Sequence, residues 1–501
     1  MAIEPVFESL LTKGEVKQIC EKIKAECKTD RDCAEIKKVL SVSAKVFGLE
    51  KELTETGVKY GGKLVFYFCY LDGVDGAVKK IECANEFVGS LKAEAISDKE
   101  VYLTVEPLKC EWDVSGATLI LSATLEVKAE ISGTIKLNAL VGGEGLIVER
   151  KDAEYFKGYG IKRTTYPVEA EFEVGYQVLE VLSQRVEAIV SSVQAGVGCI
   201  IVDGEIFLSL LLLQNRENSD IIKEEKSVGF RLELDCEDAV PKMSAGAKIQ
   251  VRSFKTDVKV EPEQQKSTIN LSSVLELVGE CFSKEKISVV SDAFNEKENL
   301  TLIKEDFSCS CPLAQVVAPL KITGRSVQDE IPVSARITAT YAEKITLTEI
   351  NLIEEGVELI GVLSMKAFLK DGDGKVFTMN AETPFKEVLE IGVNQVPQVK
   401  FVVSKSGAKI VSNTELEIYA QAECVLQTTS CACAEIVADI STCGEKQVCD
   451  KAVSVYIAQK GESLWELAKR LNVCPESIIK NNIELQFPLS GEERIVVYRQ
   501  I

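Results

Sequence analysis

Internal repetition limits the folds open to this 501-residue chain more than any other feature, because every copy must bury its own apolar face or share it with a neighbour. The stretches "GKLVFYFCYLDGVDGAVKKIECANEF" from Gly62, "GEIFLSLLLLQNRENSDIIKEEKSVGF" from Gly204 and "GVLSMKAFLKDGDGKVFTMNAETPF" from Gly361 follow one plan. Each has a Gly, an apolar run, a polar turn and a second run that ends in Phe87, Phe230 or Phe385. That is one β-hairpin used three times. Later runs also correspond: "TLILSATLEVKAEI" from Thr118, "TINLSSVLELVGEC" from Thr268 and "TELEIYAQAEC" from Thr414. In the last of these, apolar and polar residues alternate with the period of two that marks a half-buried strand.

The connecting pieces, such as residues 320–352, are rich in β-branched residues and broken by Gly, Pro and Asp turns. Short strands at this spacing predict antiparallel β-sandwiches or open barrels. Single cores seldom grow past roughly 250–300 residues, so the chain must divide. The expected fold is mainly β, with tandem sandwich-like domains over 41–185, 186–314 and 315–445. Ahead of them, "GEVKQICEKIKAECKTDRDCAEIKKVL" (14–40) has charged and apolar residues at helical spacing, which predicts a helical segment over 1–40.

The last fifty residues read differently. Ser463 followed by Glu466 is a capping box, in which each side chain satisfies a free backbone N–H at a helix start. Leu464, Leu467, Ala468 and Leu471 then recur on one helical face. Pro475 suits the first position of a second helix, and Asn481 and Asn482 can end it. With "VSVYIA" (453–458) before and "RIVVYRQ" (494–500) after, the order is strand, helix, helix, strand. This βααβ unit, assigned to 446–501, resembles a LysM module. The resemblance rests on Tyr456, the Gly461-Glu462-Ser463-Leu464-Trp465 turn, Leu467-Ala468, Val473, and Ile478-Ile479 through Asn482. It implies binding of peptidoglycan or another N-acetylglucosamine polymer, or of a protein partner, through two loops. Those loops carry Lys460, Gly461, Glu462, Ser463 and Leu464 on one side, and Asn482, Ile483, Glu484, Leu485 and Gln486 on the other.

Charge and residue usage exclude several classes of function. A formal net charge of −20 repels phosphate backbones, so no nucleic-acid partner is expected. No apolar run reaches the ~18 residues of a transmembrane helix, and "MAIEPVFESLLTKGEVK" lacks the pattern of a secretory signal. With no His in the chain, neither Ser-His-Asp nor Cys-His catalysis is available. Carboxylate pairs could still cleave a glycosidic bond, but no acidic pair stands in a cleft-like apolar context. An enzyme is not expected.

The 17 Cys are odd in number and form no C-x-x-C pair, which argues against a disulfide framework. Two C-x-C pairs, Cys309/Cys311 and Cys431/Cys433, match no standard zinc spacing. Reduced structural thiols without metal or cofactor are the expectation. "DGDGKVFTMNAE" places Asp371, Asp373 and Glu382 like calcium ligands, yet Val376 stands where that loop needs Gly. The matching "LDGVDGAV" of the first copy makes both stretches hairpin turns.

Three β-domains followed by a LysM-like module resemble the SPOCS-domain coat morphogenetic proteins of endospore-forming bacteria. The resemblance covers the chain from about residue 41 and implies a non-catalytic scaffold. Its setting would be the mother-cell cytoplasm at the forespore surface. Its partner would be the stage IV sporulation coat ATPase, met through the terminal module, with self-association of the β-domains as a further expectation.

Overall fold

In the computed structural model, residues 3–14, 16–30, 35–93, 99–215, 220–391, 396–446 and 452–498 are described. Nearly all of this is antiparallel strand. The first unit comprises β1 (Glu4–Lys13), β2 (Lys17–Asp30), β3 (Ile36–Thr54), β4 (Gly57–Asp72), β5 (Val78–Lys92), β6 (Glu100–Ser115), β7 (Thr118–Ser132) and β8 (Thr134–Glu144). The second comprises β9 (Ile147–Val174), β10 (Val178–Ala195), β11 (Cys199–Gln214), β12 (Ile221–Asp235), β13 (Ser244–Glu261) and β14 (Lys266–Phe294). The third comprises β15 (Glu298–Val327), β16 (Arg336–Ile353), β17 (Gly356–Lys370), β18 (Val376–Leu389), β19 (Gln398–Ser412) and β20 (Glu415–Glu445).

Each unit stacks two three-stranded sheets. Their orders are β3-β4-β5 on β2-β7-β6, β10-β11-β12 on β9-β14-β13, and β16-β17-β18 on β15-β20-β19. A separate core fills each sandwich, centred on Phe66 and Leu125 in the first, Ile206 and Leu275 in the second, and Leu363 and Ile418 in the third. The repeated Gly and Phe are direct cross-strand partners: Gly62 faces Phe87, Gly204 faces Phe230 and Gly361 faces Phe385. The phenyl ring lies across the glycine. A Cβ at Gly62 would meet the Phe87 ring at 3.2 Å, and one at Gly361 would meet the Phe385 ring at 2.9 Å. The pattern that defined the repeat is thus a packing requirement.

Pairing moves the divisions between units. β9 pairs with β14 over its whole length, and β15 with β20. The units therefore run over 4–144, 147–294 and 298–445, so boundaries at 185/186 and 314/315 would each separate a long strand from its ladder. The helical expectation for the amino terminus is also corrected. β1 pairs with β8, and β2 pairs with β7 from Lys17↔Ile131 to Asp30↔Thr118. Ile19 and Ile23 stand four apart, as on a helix, but Ile23, Ala25 and Cys27 continue at a period of two on the half-buried face. The interleaved Lys and Glu lie on an edge strand, where charge discourages further pairing.

The long ladders extend beyond the sandwiches. They break register at matching heights: between β1 and β2, at Glu280/Phe282 in β14, and at Pro312/Ala314 in β15. Past these breaks the three ladders pack on one another through Leu10, Phe156, Phe282, Phe307 and Ile436, forming a common stem. At the other end the three upper sheets meet through Leu40, Leu182, Leu211, Ala339 and Phe368. Equivalent strands of all three units thus share two common cores.

One pair of thiols departs from expectation. Cys27 on β2 and Cys83 on β5 are joined as a disulfide between the two sheets of the first unit, with Cα atoms 6.4 Å apart. Of the two C-x-C pairs, the Cys311 side chain lies outside the described residues. Cys309 is buried opposite Ala432, while Cys431 and Cys433, opposite Ser310 and Ser308, are exposed. In the turn of the third copy, Asp371 accepts from the backbone of Asp373 and Lys375, and Gly374 takes a φ of 83°.

Candidate functional site

The terminal module is built from β21 (Val453–Ala458), α1 (Leu464–Leu471), α2 (Pro475–Asn481) and β22 (Glu493–Tyr498). Ser463 caps α1 in a complete capping box with Glu466. Leu467, Ala468, Leu471, Val473, Ile478 and Ile495 form its core. Phe294, from the end of β14, enters the same core. The module is therefore seated on the stem, and α1 does most of the seating. The Trp465 indole donates to Asp292 at 2.8 Å and packs tilted against Phe294, ring centres 5.3 Å apart. Lys469 pairs with Asp292 at 2.7 Å, and the Asn472 side chain donates to the Glu296 carbonyl. Burial would raise the Asp292 carboxyl, but Lys469 and Trp465 overrule it and hold it below its ordinary value. In the sequence Trp465 stands out only as part of the LysM-like turn; its role at this junction needs Asp292, 173 positions away.

The two predicted loops lie side by side. Gly461 N–H donates to the Leu489 carbonyl at 2.8 Å, and Leu489 N–H donates to the Glu462 carbonyl at 3.1 Å. Gly461 occupies the left-handed region at φ 85°, which lets the first loop turn back. The ten expected site residues divide into two sets. Lys460, Gly461, Ile483, Glu484 and Gln486 are exposed, Ile483 at 87%. Glu462, Ser463, Leu464, Asn482 and Leu485 are committed internally. Glu462 pairs with Arg470 at 2.9 Å, Ser463 is the cap, and Leu464 and Leu485 pack against the module core. Asn482 bonds the Val496 backbone in both directions, at 2.8 and 2.9 Å, and so latches α2 to β22. What remains free is a small surface of mixed character: a cation, an anion, an amide and a large aliphatic side chain.

A second concave region lies where the three units meet above the stem. This cavity, of about 630 Å³, is lined by residues of all three units, among them Lys13, Glu130, Lys248, Glu280 and Gln427. Its charges are matched in pairs across units, Lys13 with Glu280 and Lys248 with Glu130. Burial, with Lys13 nearby, pushes the Lys248 ammonium down to about 8, and the group stands 5.0 Å from the centre of the Tyr102 ring. No helix among the described residues is long and apolar enough to cross a membrane. Compared with known protein families, curated proteins and solved structures, the chain matches none.

Proposed function

We propose that this protein is a non-catalytic scaffold of spore coat assembly, similar to SipL. In this reading it docks on the stage IV sporulation coat ATPase through the terminal LysM-like module. The observation that carries the reading is the seating of that module. Its α1 face is spent on the stem, while Lys460, Ile483, Glu484 and Gln486 stay exposed on two joined loops. A module held in this way presents its loops at a fixed position relative to three fused β-units, which is what an adaptor needs. The same two loops could instead take a glycan, so the test has two arms.

The test compares the full chain with a variant carrying Ile483→Asp and Glu484→Lys. Exposed changes of this kind usually move stability by no more than about 0.5 kcal/mol, so the variant should melt with the parent. Loss of ATPase capture by the variant, with neither protein sedimenting with purified peptidoglycan, is the expected result. Sedimentation of the parent but not the variant would move the function to the cell wall. Unchanged capture would place the contact elsewhere on the chain.

A further inference from the structure

The seam between the first and second units holds a second pocket of about 390 Å³, adjoining the larger cavity at Tyr102 and Arg163, whose charges are not fully matched. Lys51 from β3, Arg163 from β9 and Arg252 from β13 line it, with Glu50 from β3 and Glu276 from β14. Glu276 is already engaged: it accepts from the Gln250 amide and lies 3.4 Å from Arg163 Nε. Arg163 also approaches Glu100 at 3.8 Å and donates to the Val101 carbonyl at 3.2 Å. Lys51 donates to the same neutral carbonyl. Among the described residues neither Lys51 nor Arg252 has a carboxylate within ion-pair distance. In a chain of net charge −20 the pocket therefore gathers three cations, of which Arg163 is paired, around the committed Glu276, with Arg252 and Glu50 both exposed at its rim.

We propose that this pocket binds a small, multiply charged oxyanion, held directly by Lys51 and Arg252 with Arg163 behind them. The pocket's size lies within the range of small-molecule sites. A planar guanidinium and an ammonium together suit the oxygens of a phosphate or a polycarboxylate. The Lys51 ammonium reports the same shortage of counter-charge. Burial and then Arg163 push it down to about 8, against weaker opposition from Glu276 and Glu100. An anion arriving beside it would favour the protonated form, so binding near that pH should draw a proton from solution.

Calorimetric titration of the full chain at low ionic strength tests this, with pyrophosphate, sulfate and citrate as probes. Pyrophosphate binding stronger than citrate binding would indicate a phosphate-bearing ligand, and the reverse a polycarboxylate. Lys51→Gln and Arg252→Gln should each weaken the better probe about tenfold, the loss of roughly one charge-assisted contact. Sulfate does not titrate in this range, so its binding enthalpy at about pH 8 should vary with the ionisation heat of the buffer, reporting proton uptake. Lys51→Arg should restore affinity and abolish that uptake. Absence of heat from all three probes at about 10 mM, beyond even millimolar affinity, would overturn the proposal. So would binding unchanged in the two Gln variants.

Discussion

The seam between the second and third units and the seam between the first and second differ in how completely they match buried charge. At the former, Glu343 on β16, whose side chain is 2% exposed, accepts from Lys223 on β12 and from Ser406 Oγ on β19 at 2.7 Å. Arg185 on β10 stands 3.8 Å from the same carboxylate, and Lys223 also pairs with Glu225. Beyond this group, Asp220 receives Arg336 at 2.7 Å and Lys370 at 3.1 Å. Every cation there has an acid in reach. At the seam between the first and second units the matching is partial: Lys13 meets Glu280 and Lys248 meets Glu130, but Lys51, near the Phe47–Phe254 ring pair with centres 5.2 Å apart, is left with a neutral carbonyl. The comparison teaches that burial itself lowers a lysine's pKa, and that Lys51 meets this with only a neutral carbonyl where Glu343 has two cations and a hydroxyl.

The strongest way to break the contrast is Glu343→Gln. Removing the carboxylate leaves Lys223 with Glu225 and Arg185 with Glu187 as their remaining partners at a buried junction, and breaking a buried pair typically costs about 3–5 kcal/mol. Urea unfolding should show a loss of that order, and a change below about 1 kcal/mol would mean that the cluster contributes little to the join.

Acid titration should show the same cluster from another side. Burial alone would raise the Glu343 carboxyl, but Lys223 and Arg185 hold it at about 2. A depressed carboxyl stabilises the fold fully above its unfolded value, about 4.3, and that contribution drains away as pH falls toward 2. Stability followed by denaturant at successive pH values should fall through this window, and the fall should be shallower in Glu343→Gln.

The opposite sign belongs to the other seam. Lys51 sits at about 8 in the fold, below its unfolded value near 10.4, so the folded state gains relative stability as pH rises across that interval. Lys248, also near 8, adds to the same rise. Lys51→Met should reduce the slope and the double variant with Lys248→Met should reduce it further; an unaltered slope in the double variant would remove both assignments. The smallest effect is expected where the terminal module meets the stem. Asp292→Ala deletes one ion pair with a half-exposed lysine and one indole hydrogen bond, together about 1 kcal/mol. Hydrogen exchange in β21 and α1 should quicken while the main unfolding transition stays in place.

Much of the fold was legible because it is written in short-range patterns. The Gly–Phe hairpins, the Asp371 turn and the Ser463–Glu466 cap each depend on residues within about 26 positions of one another. The helical reading of residues 14–40 failed because two isoleucines four apart fit either period on an edge strand, and the pairing that decides between them lies about a hundred residues ahead in β7. Asn482 was expected at a binding surface because the LysM resemblance puts it on the second loop; its bonds to Val496 are visible only once β22 is in place. The Cys27–Cys83 bridge and the Lys223–Glu343 contact, 56 and 120 residues apart, had no local signal.

By itself the sequence determined the period of the chain, the hairpin at the heart of each unit and the βααβ plan of the terminal module. It could do so because strand alternation, glycine approach and helix capping act between near neighbours. Only the tertiary structure decided where each unit begins, that the three long ladders share a stem, and which charges end beside which. Those outcomes depend on ladders that close over more than a hundred residues and on the desolvation of side chains that meet only when the units are joined.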